Sequence, residues 1–244
     1  MVITSVENEK IKRILKLQRK KYRDLTDTYY VETDHLVEEA YKAGIILELF
    51  VLEGELVSYE LPCTFVSMDV MRKLSMMETP SHVIALCKKN PPSKIMGNRL
   101  LLLDEIQDPG NLGTMIRSAV AFGIDMIILS NDTVDLYNPK VLRSSQGMYC
   151  HIPILSMDSK EAISYMRDND YLIYGTNVVN GVDVGTLGVE KKKKFCLVMG
   201  NEGNGLKKEI QNMCDQNLYI SMDSKVESLN VAIACSILLY ELRR

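Results

Sequence analysis

The chain has 244 residues, of which 46% are hydrophobic and 25% charged, and its formal net charge is −3 at pH 7. A chain of this length can bury a full core and can form two modest domains. The composition is that of an ordinary globular protein. A negative net charge does not indicate a protein that holds nucleic acid non-specifically, so any phosphate contact must come from local basic patches.

Several protein classes are excluded early. No apolar run approaches the roughly 18 residues of a membrane-spanning helix, and the first residues lack the layout of a signal peptide. We therefore expect a cytoplasmic protein with no membrane partner. The six cysteines lie far apart without CxxC spacing, and there are three histidines. The sequence thus predicts no metal site and reduced, buried thiols.

A strongly basic stretch runs from Lys10 to Arg23, with eight basic residues and no acidic one. Ile11, Ile14 and Leu15 recur at roughly helical spacing, which predicts a single helix with one packed face and a cationic remainder. A solvated helix face and an RNA-backbone contact are both open at this point. The RNA contact becomes the better interpretation only if residues for RNA chemistry occur elsewhere in the chain.

The chain divides into two regions that both alternate strands and helices, which predicts an α/β fold class. Lys88–Lys94 contains adjacent prolines among polar residues, as is typical of a short, stiff linker. We therefore predict a first domain at 1–90, a linker at 91–98 and a second domain at 99–244. In the second domain, the apolar run Leu100–Leu103 is typical of a strand buried on both faces of a parallel sheet.

Three motifs in the second domain concentrate polar residues and glycines. The first is N-x-G-x-x-x-R, which stands as Asn111-Leu-Gly-Thr-Met-Ile-Arg117. The second is G-x-E-x-x-G, in Gly200-Asn-Glu-Gly-Asn-Gly205, where glycines let the backbone approach a ligand closely. The third runs from Ile220 to Ala234 and contains Ser228-Leu-Asn230 ahead of an apolar helical pattern.

Each motif also has a plain structural interpretation. Asn111 and Ser228 stand where helix N-caps are expected, and Arg117 can form a surface salt bridge. The dinucleotide fingerprint G-x-G-x-x-G is absent, and Glu202 would be a poor neighbour for a pyrophosphate, which argues against a nucleotide-dependent oxidoreductase. A capping serine and a core helix do not explain why the three motifs occur together in this order.

In order and spacing, the motifs resemble those of the SpoU (TrmH-like) RNA ribose 2′-O-methyltransferases of the SPOUT superfamily. The resemblance covers Leu100 to the C-terminus closely and the first 90 residues more loosely. It implies a parallel sheet with helices on both faces, a deep C-terminal trefoil knot that is rare among folds, a homodimer formed through the knotted domain, and an N-terminal RNA substrate-binding domain. Two positions depart from the family pattern: Thr33 follows Glu32 where members often carry glycine, and Ser221 replaces a proline.

The resemblance also implies roles for the motif residues. The family's asparagine shapes the site and contacts RNA, its arginine engages the target phosphate or hydroxyl, and its glutamate organises the site, including that arginine. Because arginine is nearly always protonated, polarising the hydroxyl suits Arg117 better than acting as a general base. The implied catalytic residues are Arg117, Asn111, Glu202, Ser228 and Asn230. The implied cofactor site is lined by Thr176, Gly200, Ile220, Met222 and Leu229.

The activity implied by the resemblance is methylation of a ribose 2′-hydroxyl in structured RNA, with S-adenosyl-L-methionine as methyl donor and with RNA, not DNA, as partner. Such a transfer requires a positioned donor, a gripped RNA and help in removing a proton from a weakly acidic hydroxyl. Ribosomal RNA, 23S rRNA in particular, is favoured because the added N-terminal domain resembles rRNA-type members. A tRNA methyltransferase and a non-catalytic RNA-binding dimer are the alternatives, and the intact set of five polar residues argues against the latter.

Overall fold

The computed structural model describes residues 2–177, 181–188, 190 and 193–243. The strands are β1 (Val2–Ile3), β2 (Thr28–Glu32), β3 (Ile46–Leu52), β4 (Cys63–Val66), β5 (Val83–Lys88), β6 (Arg99–Leu103), β7 (Met126–Leu129), β8 (Ile154–Ser156), β9 (Leu172–Thr176), β10 (Val182–Asp183), β11 (Phe195–Met199) and β12 (Gln216–Tyr219). The α-helices are α1 (Glu9–Lys16), α2 (Lys20–Thr26), α3 (Asp34–Lys42), α4 (Met68–Leu74), α5 (Pro109–Ala121), α6 (Pro139–Ser144), α7 (Ser159–Asp168), α8 (Lys208–Gln211) and α9 (Val231–Leu242).

The chain forms two compact units. The first comprises Met1–Asn90 with Tyr137–Cys150, and the second comprises Pro91–Leu136 with His151–Arg244. The sequence analysis assigned Tyr137–Cys150 to the second domain, whereas this segment belongs to the first of the two compact units. The segment joins the first unit because its aromatic rings pack around Tyr29, whose ring centroid lies 4.4 Å from that of Tyr137 and 6.0 Å from that of Tyr149.

The first unit is built on a mixed five-stranded sheet in the order β1-β4-β3-β5-β2. Strands β1 and β3 run parallel to β4, and β5 pairs antiparallel with β2 and β3. One face of the sheet packs against α1 and α4 through a core that includes Ile11, Ile14, Phe50 and Met71. The apolar side of the predicted basic helix is therefore buried, as its spacing indicated.

The predicted single helix from Lys10 to Arg23 is two helices. The N–H groups of Leu17 and Arg19 bond to carbonyls three residues earlier, which ends α1 in a tight turn, and Arg19 has extended backbone at the start of α2. The break allows the buried Arg23 to donate a hydrogen bond of 2.7 Å to the carbonyl of Leu17. A side-chain to backbone contact thus accompanies the break in a stretch that local spacing favours as one helix.

The second unit contains a seven-stranded sheet in the order β10-β12-β9-β11-β6-β7-β8, in which every pair is parallel. The central strands β6 and β11 are almost wholly buried, which explains their continuous apolar sequence. Because the strands are parallel, the loops that follow β6, β9, β11 and β12 share one edge of the sheet, where such folds bind ligands.

Within residues 2–177, 181–188, 190 and 193–243, no helix has the length and apolar character that crossing a bilayer requires. Within the same ranges, no group of three or more His, Cys, Asp or Glu side chains is placed to hold a metal ion.

Candidate active site

A cavity of about 510 Å³ lies at the carboxyl edge of the second sheet. Its walls come from the end of β9, the loop after β11, the loop after β12 and the first half of α9. The five residues predicted to line a cofactor site all line this cavity: Thr176, Gly200, Ile220, Met222 and Leu229. Residues that are far apart in sequence therefore meet around one space of a size typical of small-molecule sites.

The loop after β11 closes one side of the cavity and depends on its glycines. A Cβ atom at Gly200 would overlap the backbone of Gly205 and Leu206, so only glycine fits there. Gly205 has φ +65°, a conformation that glycine adopts without strain. Asn201, which the sequence analysis missed, holds the turn by accepting hydrogen bonds from the N–H groups of Gly203 (2.9 Å) and Asn204 (3.2 Å).

Glu202 anchors the start of α5. Its carboxylate accepts hydrogen bonds from the backbone N–H of Gln107 (3.1 Å) and of Asp108 (2.9 Å), and from Nδ2 of Asn111 (3.2 Å). Burial alone would raise the pKa of this carboxyl, but the hydrogen bonds from Asp108, Gln107 and Asn111 outweigh it and lower the pKa below its ordinary value. Glu202 is therefore held ionised.

The network extends from α5 to α9 through two asparagines. Nδ2 of Asn230 donates a 3.0 Å hydrogen bond to Oδ1 of Asn111, while Oδ1 of Asn230 accepts from the N–H groups of Ala232 (2.9 Å) and Ile233 (3.3 Å). Three of the five predicted catalytic residues, Glu202, Asn111 and Asn230, are thus joined in one chain of hydrogen bonds. This chain links the second and third motifs to the first.

The predicted helix caps were wrong in both motifs. Helix α5 begins at Pro109, and its cap is Asp108, whose side chain accepts from the N–H of Asn111 at 2.9 Å. Helix α9 is capped by Asn230, and Ser228 lies in the exposed loop before it, at the cavity wall. Proline at the first helical position explains the earlier start of α5, since its missing N–H needs no partner there.

Arg117 stands apart from the network. It is exposed on α5, and its guanidinium forms no hydrogen bond or ion pair with the residues that the structure describes. Arg117 follows Asn111 by six residues, which on a helix turned by about 100° per residue separates their directions by about 120°. The expected contact through which Glu202 would organise this arginine is therefore absent among the described residues. The guanidinium is available to a ligand.

The comparisons with known proteins agree with this arrangement. The model of the SpoU rRNA Methylase family matches residues 98–240, and that of the MRM3-like substrate binding domain matches residues 8–85. The chain belongs to the SpoU rRNA methylase family. It is 37% identical, over 99% of its length and 98% of the relative's, to the 23S rRNA (guanosine(2553)-2′-O)-methyltransferase RlmP of Bacillus subtilis.

Solved structures of SpoU relatives share the fold of the whole chain. The AdoMet-bound rRNA methyltransferase of Sinorhizobium meliloti has a TM-score of 0.88 and 30% identity, covering 100% of this chain and 97% of that one. The SpoU methyltransferase AviRb of Streptomyces viridochromogenes has a TM-score of 0.84 at 23% identity, covering 97% of this chain and 96% of that one, and supports the fold alone. The SPOUT α/β fold predicted from the motifs is therefore confirmed.

One buried polar pair in the second unit escaped the sequence analysis. Asp104, directly after β6, is buried and accepts a 2.5 Å hydrogen bond from the hydroxyl of Ser159 at the start of α7. Burial raises the pKa of the Asp104 carboxyl. The next residue, Glu105, has φ +57° and forms an ion pair with Lys207. The sequence signal that could have identified this pair is the occurrence of two acidic residues, Asp104 and Glu105, directly after an apolar strand.

Proposed function

We propose that this protein transfers a methyl group from S-adenosyl-L-methionine to a ribose 2′-hydroxyl of RNA. The observation that carries the proposal is the meeting of the Glu202–Asn111–Asn230 network with the cavity, which Glu202 itself lines. The cavity suits this donor in three respects. Its volume of about 510 Å³ fits a small ligand, Gly200 permits close backbone approach, and among the described lining residues no side chain is basic.

In this proposal the chain mainly positions the reactants, because the bound donor supplies an already activated methyl group. Glu202 fixes the start of α5 and orients the amide of Asn111, whose carbonyl is in turn held by Asn230. Arg117 polarises the attacking hydroxyl and stabilises the negative charge that develops on its oxygen, as a permanently protonated group can. Ser228 supplies a hydroxyl at the cavity wall, ahead of Asn230.

The proposed RNA is 23S rRNA. The support is the full-length similarity to RlmP, a 23S rRNA methyltransferase, together with the match of residues 8–85 to a substrate-binding domain. We propose the first unit as the RNA-binding domain. A test by deleting residues 1–90 would leave Tyr137–Cys150 without the residues it packs against in that unit, so point variants are the cleaner approach.

The basic stretch of the first unit offers a defined surface for RNA phosphate. Within the stretch, Lys12 pairs with Glu7 (2.9 Å) and Lys20 with Asp24 (2.7 Å), and Lys10 pairs with Glu48. Four further cations are exposed and form no ion pair with the described residues. These free cations are Arg13, Lys16, Arg19 and Lys21. Free cations release bound counterions from RNA when they contact phosphate, which drives association.

We further propose that the second unit contains the trefoil knot and forms a homodimer, in the cytoplasm where ribosomal RNA is modified. Helices α5 and α9 pack together, and α9 exposes Ile233 (53%) and Tyr240 (36%), two turns apart on one side of the helix. Large exposed apolar side chains of this kind suit an interface.

Light scattering of wild type and Ile233→Glu tests the proposed homodimer. We expect the wild type to be a dimer and the variant to be a monomer. A monomeric wild type would contradict the proposal.

The decisive experiment is methyl transfer from radiolabelled S-adenosylmethionine to total RNA from cells that lack this protein. Wild type and Arg117→Ala are compared on size-resolved RNA. Label in 23S rRNA with wild type alone is the expected result. The first nucleotide to map is the one equivalent to guanosine 2553, the 23S rRNA position in the name of the relative RlmP. Label in tRNA would favour the tRNA alternative. No label in any fraction, with the donor still bound, would favour an RNA-binding protein without this activity.

A further inference from the structure

Two carboxylates line the cavity, and they differ in what they contact. These are Glu202, in the loop after β11, and Glu227, in the loop between β12 and α9. Among the described residues of the cavity wall there is no lysine, arginine or histidine. The wall therefore carries negative charge that no lining cation neutralises, and the two carboxylates have to be considered separately.

Glu202 is engaged with the protein, mainly through one of its two carboxylate oxygens. Both of its oxygens accept hydrogen bonds from the backbone of Gln107, and Oε1 also accepts from Asp108 and Asn111. These bonds lower the pKa of the carboxyl and hold it at the start of α5. The carboxylate of Glu202 thus serves the structure of the site, because it holds the start of α5 and the asparagine network in place.

Glu227 is in the opposite situation. Its side chain is exposed at the cavity wall and forms no hydrogen bond or ion pair with the residues that the structure describes. It immediately precedes Ser228, which also lines the cavity, and lies three residues before Asn230 of the network. Glu227 is therefore the carboxylate among the described lining residues whose two oxygens both lack a partner in the described part of the chain.

We propose that Glu227 is a positioning residue that binds the cationic part of the methyl donor; this inference rests on the proposed function. S-adenosylmethionine carries two positive centres, the sulfonium and the α-ammonium, and both are attracted to a carboxylate. The attraction is strengthened where protein walls exclude part of the water, and weakened by what water remains. The donor thus meets a carboxylate that forms no ion pair with any residue in the described part of the chain.

The test is calorimetric titration of the full chain, as wild type and as Glu227→Gln, with three ligands. S-adenosylmethionine carries both cations, S-adenosylhomocysteine keeps only the ammonium, and 5′-methylthioadenosine carries neither. The expected result is that Glu227→Gln lowers the affinity for S-adenosylmethionine by about fivefold to tenfold and changes the affinity for 5′-methylthioadenosine by less than twofold. If the affinity for S-adenosylhomocysteine falls by the same factor, the ammonium is the partner of Glu227. If that affinity does not change, the sulfonium is the partner.

A matched control removes the same charge from the same loop. Asp223 is exposed and does not line the cavity, so Asp223→Asn should leave all three affinities unchanged. Equal changes for all three ligands in Glu227→Gln, or no change for any, would overturn the inference while leaving the proposed function intact. Failure of the wild type to bind S-adenosylmethionine would instead overturn the proposed function. Because Glu227 is exposed and contacts no hydrogen-bond or ion-pair partner among the described residues, its substitution should not affect folding.

Discussion

The two units use their polar side chains in contrasting ways. In the second unit, Glu202, Asn111 and Asn230 satisfy one another and the backbone at distances of 2.9 to 3.2 Å. In the first unit, the basic stretch keeps four cations free of ion pairs with the described residues, although others are paired. Methyl transfer depends on positions held to fractions of an ångström, whereas phosphate binding depends on charge near a backbone. Substitutions in the two regions should therefore differ in size and in kind.

The largest expected effect is at Arg117. Arg117→Ala should lower methyl transfer by about a thousandfold or more, because it removes the group that stabilises charge on the attacking oxygen. Donor affinity should stay within a few-fold, since Arg117 does not line the cavity. Single-turnover transfer and calorimetric donor binding measure the two quantities separately. Arg117→Lys keeps the charge but loses the planar fork, so it should recover only part of the rate. Near-normal turnover in Arg117→Ala would refute the role.

The next largest effect is expected at Glu202, where the stability difference between wild type and variant should depend on pH. Glu202→Gln should lower transfer by about a hundredfold, because the amide NH2, a donor, would face the N–H of Gln107 and displace the side chain that orients Asn111. The folded pKa of Glu202 is lowered, so its contribution to stability is full above its ordinary pKa and is lost as pH falls through the lowered value. The group is exposed, which limits that contribution to about 1 kcal/mol. Urea unfolding at neutral and acid pH should show the two proteins converging in acid; a constant difference would contradict this.

A graded effect is expected in the first unit. Replacing the four free cations Arg13, Lys16, Arg19 and Lys21 by glutamine should weaken RNA binding and flatten its dependence on salt by about 0.7 to 0.9 per lost phosphate contact. The control pair Lys12→Gln with Lys20→Gln removes cations that already have carboxylate partners. It should change the slope less per charge removed. Equal slopes per charge would show that pairing does not decide which cations reach RNA.

The sequence predicts those features of the fold and the site whose physical cause lies in neighbouring residues. The strands β6 and β11 were predictable because a parallel strand buried on both faces requires a continuous apolar run. The cavity residues were predicted through the resemblance of the motifs to those of the SpoU family, and all five line the cavity. The start of α5 was also within reach, since Pro109 is a signal for the first helical position.

What the sequence did not predict is decided by contacts that hydrophobic spacing does not show. The break before α2 is accompanied by the bond from the Arg23 side chain to the carbonyl of Leu17, six residues earlier, and no glycine or proline marks it. The placement of Tyr137–Cys150 depends on rings that meet Tyr29 from more than a hundred residues away along the chain. Spacing alone predicts neither a side chain that bonds to the backbone nor a packing contact between segments so far apart.

The smallest expected effect concerns Thr33, the residue that follows β2. Thr33 has φ +87° and ψ 143°, a backbone conformation that favours glycine and costs a β-branched residue about 1 to 3 kcal/mol. Its hydroxyl accepts a long 3.5 Å cap bond from the N–H of Leu36, which compensates little. After the entropy cost of glycine, Thr33→Gly should therefore stabilise the protein by up to about 1 kcal/mol, seen as a higher urea midpoint. Thr33→Ala loses the cap and keeps the strained Cβ, so it should be less stable than wild type. A Gly variant no more stable than the Ala variant would show that the Cβ atom adds no net strain at this turn, and the difference between wild type and the Ala variant measures the hydroxyl.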